Sequence, residues 1–274
     1  VQGYCESPYA RALAASQLAN ELRAHSLHLH WADARLLADP PNKLNEPAGT
    51  RNECYLGAQM SPYADAVQSD LLVVSPYFVP GKQGVAFFGG KSRDGVTVRM
   101  LTNSLAANDV AAVHSGYSKY RKRLLAGGVE IHELRPAPGG ASGSGFGSGG
   151  GSAKGGSSGS ESSAGASLHA KAFVVDGELV FVGSFNMDPR SAALNTEMGV
   201  VVQSPELAQA VLDYYRRGTS PESSYRVSLD ESGRLRWDAT VDGRPVTYDK
   251  EPETSAWTRT KVALLRALPI EDQL

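Results

Sequence analysis

Apolar positions change their spacing several times along this chain, and each change marks an expected element. Residues 7–24 carry alanine and leucine at helical spacing through Leu22. Ser7-Pro8 suits an N-cap followed by proline at the first helical position. LHLHWADARLL alternates and predicts a strand near 27–37, while the Pro-, Asn- and Gly-rich residues 38–50 read as a loop. From residue 60 the pattern turns into strands and helices in alternation. MSPYADAVQSD predicts a helix, LLVVSPYF an apolar strand, 82–92 a helix and VTVRMLTN a strand. DVAAVHSGYSKYRKRLLAGG reads as one helix closed by glycines, and VEIHELR as a strand. Further on come a helix near 205–217, two strand-like pieces in YRVSLDESGRLRWDATVDGRPVTYD and a terminal amphipathic helix, SAWTRTKVALLRAL. Strand, helix, strand in that order implies an α/β fold: a mixed, mostly parallel sheet flanked by helices.

Composition interrupts this pattern once. Residues 137–167 are almost entirely Gly, Ser and Ala. Such a stretch cannot bury apolar surface and is expected to be a flexible surface insertion. Strand-like sequence resumes directly after it, so it does not read as a domain boundary. The 274 residues suffice for a sizeable core, and a start at Val1 rather than Met reads as a fragment. VQGYCESPYA shows no signal peptide, and no apolar run approaches the ~20 residues of a membrane helix. The expectation is a chain that is soluble or touches a membrane only at its surface. A net charge of −2 argues against a dedicated nucleic-acid binder. Cys5 and Cys54 are far apart and read as ordinary thiols.

The chemistry is concentrated in LHAKAFVVDGELVFVGSFNMDPRS, residues 168–191. Asp176-Gly177 is a strong two-residue hairpin turn between two β-rich runs. That turn pairs Val175 with Glu178, Lys171 with Val182 and His169 with Ser184. Alternation then sends His169, Lys171, Ser184 and Asn186 to one face. The set suits phosphate-ester chemistry. Imidazole attacks phosphorus or protonates a leaving oxygen. Lysine is a point charge for non-bridging oxygens. Hydroxyl and amide groups hold charge developing in the transition state. No cluster at metal-ligand spacing is visible, and no cofactor or metal is expected.

HAKAFVVDGELVFVGSFN resembles the HxKxxxxDxxxxxxGSxN motif of the phospholipase D superfamily at His169, Lys171, Asp176, Gly183, Ser184 and Asn186. Asp188, Arg190, Ser191, Asn195 and Glu197 are similar to the tail of the cardiolipin synthase branch. So are SPYFVP at 75–80, LTNSLAANDVAAVHSGYSKYR and the closing TYDKEP and LPIEDQL. The resemblance implies the layered phospholipase D fold. It makes Glu197 the carboxylate that orients the His169 ring, and leaves Asp176 and Gly183 as structural members of the motif.

Members of the superfamily with two motifs build the site at the seam of two halves, and this chain has one motif. His25, His28, His30, His114 and His132 are not followed two residues later by lysine. Residues 1–58 resemble the tail of a preceding half with its connector. Residues 59–218 then form the catalytic domain, and 219–274 a strand pair and amphipathic helix. The partner implied is a missing N-terminal half or, in its place, a second copy of this chain.

By the same resemblance the first-half histidine attacks phosphorus and His169 serves as acid and base. The function implied is phosphatidyl transfer between phospholipids to form cardiolipin, at the cytoplasmic face of a bacterial membrane. A hydrolytic phospholipase or nuclease, and a half that only packs against a partner or membrane, are the alternatives. His114, Tyr117 and Arg121 share a helical face that either lines a headgroup pocket or is solvated. The terminal helix, with Trp257, Leu264 and Leu265 among Arg259, Lys261 and Arg266, either rests on anionic lipid or packs on its own domain.

Overall fold

The computed structural model describes residues 8–27, 29–47, 50, 52–136 and 168–268. Ser7, Cys5 and the Gly/Ser insertion discussed above lie outside them. The helices are α1 (Pro8–Ala14), α2 (Gln17–Ala24), α3 (Leu56–Asp65), α4 (Gly81–Arg93), α5 (Ala111–Ser118), α6 (Arg121–Ala126), α7 (Pro189–Ala193), α8 (Pro205–Gly218) and α9 (Ala256–Ala267). The strands are β1 (Asp33–Ala38), β2 (Asp70–Val74), β3 (Thr97–Asn103), β4 (Glu130–Leu134), β5 (Ala172–Val175), β6 (Leu179–Gly183), β7 (Met198–Gln203), β8 (Ser224–Leu229), β9 (Leu235–Val241) and β10 (Arg244–Tyr248).

Several boundaries differ from the sequence expectation for local reasons. The helix expected over 7–24 divides because the Ser16 hydroxyl accepts from the Ala19 N–H and starts α2 afresh. The strand expected from residue 27 begins only at Asp33, which pairs with Gln203, the last residue of β7. The helix expected over 109–128 becomes α5 and α6. Between them the N–H groups of Lys119 and Tyr120 bond three residues back, to Gly116 and Tyr117. The two C-terminal strand pieces are three strands, since Asp242 and Gly243 both take positive φ (51° and 72°) and fold β9 back onto β10.

All ten strands form one sheet in the order β1-β7-β6-β5-β2-β3-β4-β8-β9-β10. It is mixed and flanked by helices, but mostly antiparallel rather than mostly parallel. Only β2–β3 and β3–β4 run parallel. Those pairs are joined through α4 and through α5–α6, the long crossovers that parallel strands require. The tight turns after β5, β8 and β9 return the chain antiparallel. One face buries Phe78, Phe88, Tyr117, Leu124, Phe173 and Phe181 beneath α3 to α6. The other buries Leu72, Val74, Val174 and Val180 under Ala208, Leu212 and Tyr215 of α8.

Asp176 fastens the hairpin turn to the start of β2. Its carboxylate accepts from the backbone N–H of Gln68 (3.0 Å), Ser69 (2.7 Å) and Asp70 (2.9 Å) and from the Ser69 hydroxyl (2.9 Å). Partial burial pushes its pKa up, but hydrogen bonds from Asp70 and Ser69 outweigh this and hold it below the usual range. Its stabilisation is therefore present above the unfolded pKa near 4 and lost as pH falls through the lower folded value. Asp176→Ala is expected to cost about 1–3 kcal/mol at pH 7 in urea unfolding, a deficit that shrinks toward pH 3. A deficit unchanged by acid would contradict this role.

Candidate active site

The polar residues of the motif gather where β5 begins and β6 ends, beside the C-terminal ends of β2 and β3. Asn103, the last residue of β3, anchors this corner. Its amide donates to the Leu168 carbonyl (3.2 Å) and accepts the Leu168 N–H (2.9 Å), which fixes the backbone just before His169. His169 is exposed, whereas Lys171 is buried. The Lys171 ammonium donates to the His169 carbonyl (2.8 Å) and lies 3.4 Å from its Nδ1. That positive charge is the largest influence on His169. With burial it lowers the ring's pKa against the opposing charge of Asp109, so the imidazole is neutral near pH 7. A neutral ring can accept a proton or attack phosphorus. The Lys171 pKa is lowered by burial, opposed by the carboxylates of Glu197, Asp188 and Asp109.

Hairpin register is one residue off the sequence expectation. Val175 pairs with Leu179, so Asp176, Gly177 and Glu178 form a three-residue loop. Lys171 therefore stands opposite Gly183, whose N–H donates to the Lys171 carbonyl, rather than opposite Val182. Gly183 sits against Gly199 of β7, and a Cβ there would lie 2.4 Å from the Met198 carbonyl oxygen. No side chain fits that approach.

Glu197 is occupied by hydroxyls instead of orienting the His169 ring. It accepts from the Ser184 hydroxyl, from the Ser191 hydroxyl (2.8 Å) and from the Asn195 amide (3.3 Å). The shifted register carries Ser184 to Glu197. Asn186 bonds Ser191 through its backbone N–H, while its own buried side-chain oxygen has no hydrogen-bond partner among the described residues. An amide oxygen only accepts, so it is the Asn186 NH2 group that can donate to a phosphate oxygen.

His114, Tyr117 and Arg121 neither line a headgroup pocket nor face solvent. All three are buried on the inner side of α5 and α6. There they meet Glu133 and Glu251, whose charges draw the helix face inward. The terminal helix α9 packs on α5 through Val262 and leaves Trp257 and Leu264 exposed.

Four residues of the site went unnoticed in the sequence. Asp39 accepts the Glu197 N–H (2.8 Å) and the Leu56 N–H (2.7 Å), and Lys43 pairs with Asp39 while donating to the Ser191 carbonyl (3.0 Å). This fully buried ion pair fixes the backbone that carries Glu197. On the opposite side, the Tyr77 hydroxyl donates to Asp109 at 2.7 Å. In the sequence Asp109 reads only as the first residue of the helix expected over 109–128, and no local spacing signals that its charge acts on His169. Among the described residues, no three of His, Cys, Asp and Glu converge to hold a metal ion.

Asp188 has a consequence for stability. It caps α7 by accepting the Ser191 N–H at 2.7 Å. Burial raises its pKa to about 6, with the Glu197 charge adding to the effect. A carboxyl raised in this way stabilises the fold fully below its unfolded value near 4 and loses that contribution as pH rises through about 6. Asp188→Asn keeps a good cap and removes the buried charge. It is expected to raise stability by about 1–2 kcal/mol at pH 8, with no gain at pH 4. Thermal unfolding at the two pH values tests this, and an equal gain at both would contradict it.

Residues 64–218 match the family described as "Cardiolipin synthase, PLD-like domain". The chain is similar to cardiolipin synthase C of Escherichia coli (strain K12), at 40% identity over 263 residues, 96% of this chain and 53% of that protein. It is 27% identical to cardiolipin synthase A of Yersinia pseudotuberculosis (serotype O:1b, strain IP 31758) over 156 residues, 56% of this chain and 26% of that one. The crystal structure of phosphatidylserine synthase from Haemophilus influenzae Rd KW20 superposes with a TM-score of 0.49 at 14% identity, covering 85% of this chain and 44% of that chain. The chain thus spans about half, or less, of the length of these relatives.

Proposed function

The chain belongs to the cardiolipin synthase family of phospholipase D-like domains, and from that premise we propose that it supplies the second half-site of a phosphatidyltransferase. A preceding half carrying another motif, or failing that a second copy of this chain, completes the site. On this reading residues 1–58 are the tail of the first half and its connector, 59–218 the catalytic domain and 219–274 its C-terminal extension.

The observation that carries the reading is the pairing of an exposed, neutral His169 with a buried Lys171, whose ammonium lies 3.4 Å from the ring. The histidine of the other half attacks the phosphorus of a phospholipid. A P–N bond forms, the P–O bond to the headgroup alcohol breaks, and His169 gives the leaving oxygen a proton. An anionic phosphodiester beside the ring favours the protonated form needed for this step. In the second step the hydroxyl of another lipid, such as phosphatidylglycerol, yields its proton to His169 and attacks phosphorus. The P–N bond breaks and cardiolipin leaves. Lys171 and Asn186 hold the phosphate oxygens, and Glu197 holds the Ser184 hydroxyl in place.

The membrane role follows from α9. Trp257 and Leu264 are exposed beside Lys261 and Arg266, a pattern suited to peripheral contact with anionic lipid, on the cytoplasmic face in this reading. No helix among the described residues is long and apolar enough to cross a membrane.

Headgroup exchange separates transfer from hydrolysis. With both halves in micelles of phosphatidylglycerol and deuterated free glycerol, a transferase writes deuterium into the lipid headgroup. Phosphatidic acid as the sole product would assign the hydrolytic reading, and an unchanged lipid pool would sink both.

A further inference from the structure

A cavity of about 430 Å³ lies between α3, α4 and the sheet, and the mechanism above leaves it unused. Its walls are Met60 from α3, Phe87 from α4, Phe173 and Phe181 from the sheet, and Phe185 and Met187 from the motif segment. Its polar neighbours Ser61, Asp65 and Gln83 are all exposed, at the rim. The cleft opens to solvent along its rim, and its volume is that of a small-molecule site.

Two features say what the occupant is. The first is direction. β2 runs toward the catalytic corner and α4 departs from it, so Gly84, Phe185 and Met187 mark the corner end of the cavity. Val175 and Leu179, beside the hairpin turn, mark the far end. Between the two ends lies the length of a five-residue strand, roughly 17 Å at ~3.3 Å per residue. That is a slot for a rod-shaped apolar group. The second is the two-sided character of residues 184–187. Ser184 and Asn186 belong to the polar site, while the alternate residues Phe185 and Met187 line the cavity.

We propose that this cavity seats one acyl chain of the phospholipid whose phosphodiester is handled at His169. The inference rests on the lipid reading of the site. It assigns the cavity a ligand class and makes it a determinant of chain length. Each methylene moved from water into the slot raises affinity about fourfold.

Gly57 offers the test. It is exposed at the mouth, and a Cβ there would meet Phe185 Cζ at an ordinary 3.7 Å, so a larger side chain extends into the opening. Gly57→Leu plugs the mouth and replaces a helical glycine with a better helix former, so thermal unfolding is expected to hold or rise. Met60→Trp plugs it from the same helix by a second route.

The probe is phosphatidylglycerol with a diazirine at the end of one acyl chain, irradiated in mixed micelles with this chain and mapped by mass spectrometry. Label is expected on Val175, Leu179 or Tyr63, reduced roughly tenfold or more by each plug. Label confined to Trp257 and Leu264, or cavity label indifferent to both plugs, would overturn the proposal. So would cavity label abolished by adding the preceding half, because the occupant would then be protein. Headgroup exchange on a dibutyroyl lipid separates the two readings. Exchange with no cavity label overturns the acyl site alone, and cavity label with no exchange overturns the transferase reading alone.

Discussion

His169→Ala is expected to lower phosphatidyl transfer by roughly a hundredfold to ten-thousandfold, the span that a positioned acid–base group contributes. The reason is local. His169 is exposed, and among the described residues its side chain contacts only Lys171, so the imidazole carries little of the fold. Its loss removes the group that protonates the leaving alcohol and deprotonates the acceptor, and leaves Lys171, Asn186 and the Ser184–Glu197 pair in place. Thermal unfolding should therefore match that of the parent chain while the rate collapses. Headgroup exchange at several pH values checks the role further. The parent's basic limb reflects loss of the protonated ring, and the variant's residual rate should lack it. A loss below tenfold would place the proton transfer elsewhere.

Arg121→Met is expected to cost about 3–5 kcal/mol of stability, the usual penalty for stranding a buried charge. The guanidinium is 3% exposed and lies between two carboxylates, 2.7 Å from Glu133 and 2.5 Å from Glu251. Its flat face covers Trp237, 4.8 Å from the ring centroid. Glu133 also accepts from the Tyr117 hydroxyl (2.9 Å) and the Trp237 indole (2.9 Å). Methionine replaces most of the packing but leaves both carboxylates without their cation. Burial alone would raise the Glu251 pKa; Arg121, and then His114, outweigh it and bring the value down to about 2. The stabilisation is therefore present above the unfolded value near 4.3 and fades as pH falls toward 2. Urea unfolding should show a gap between parent and variant at pH 7 that narrows in acid. A gap under 1 kcal/mol at pH 7 would mean that the C-terminal strands dock without this network.

What the sequence disclosed about the fold follows from distance along the chain. The hairpin, the βα alternation after residue 60 and the C-terminal helix are set by neighbours a few residues apart, and all three were legible. The register of the hairpin was not. Asp-Gly signals a tight turn equally well in a two-residue or three-residue loop, and the observed pairing of Val175 with Leu179 is the latter. The outer strands escaped for the same reason, since antiparallel pairing of β1 with β7 and β4 with β8 depends on partners far along the chain.

The site divides in the same way. His169 and Lys171 could be placed together from their spacing. Asp39 could not be tied to Glu197, 158 residues away, nor Arg121 to Glu251, 130 residues away. A helical face bearing His, Tyr and Arg reads as wet until its buried counter-charges are known.

Cardiolipin formation from labelled phosphatidylglycerol, by this chain with and without the preceding half of its protein, tests the central claim most directly. Diphosphatidylglycerol and free glycerol are expected when both halves are present, and neither with His169→Ala in this half. If the two intact halves bind each other and the lipid yet form no diphosphatidylglycerol, this chain is not the second half-site of a phosphatidyltransferase.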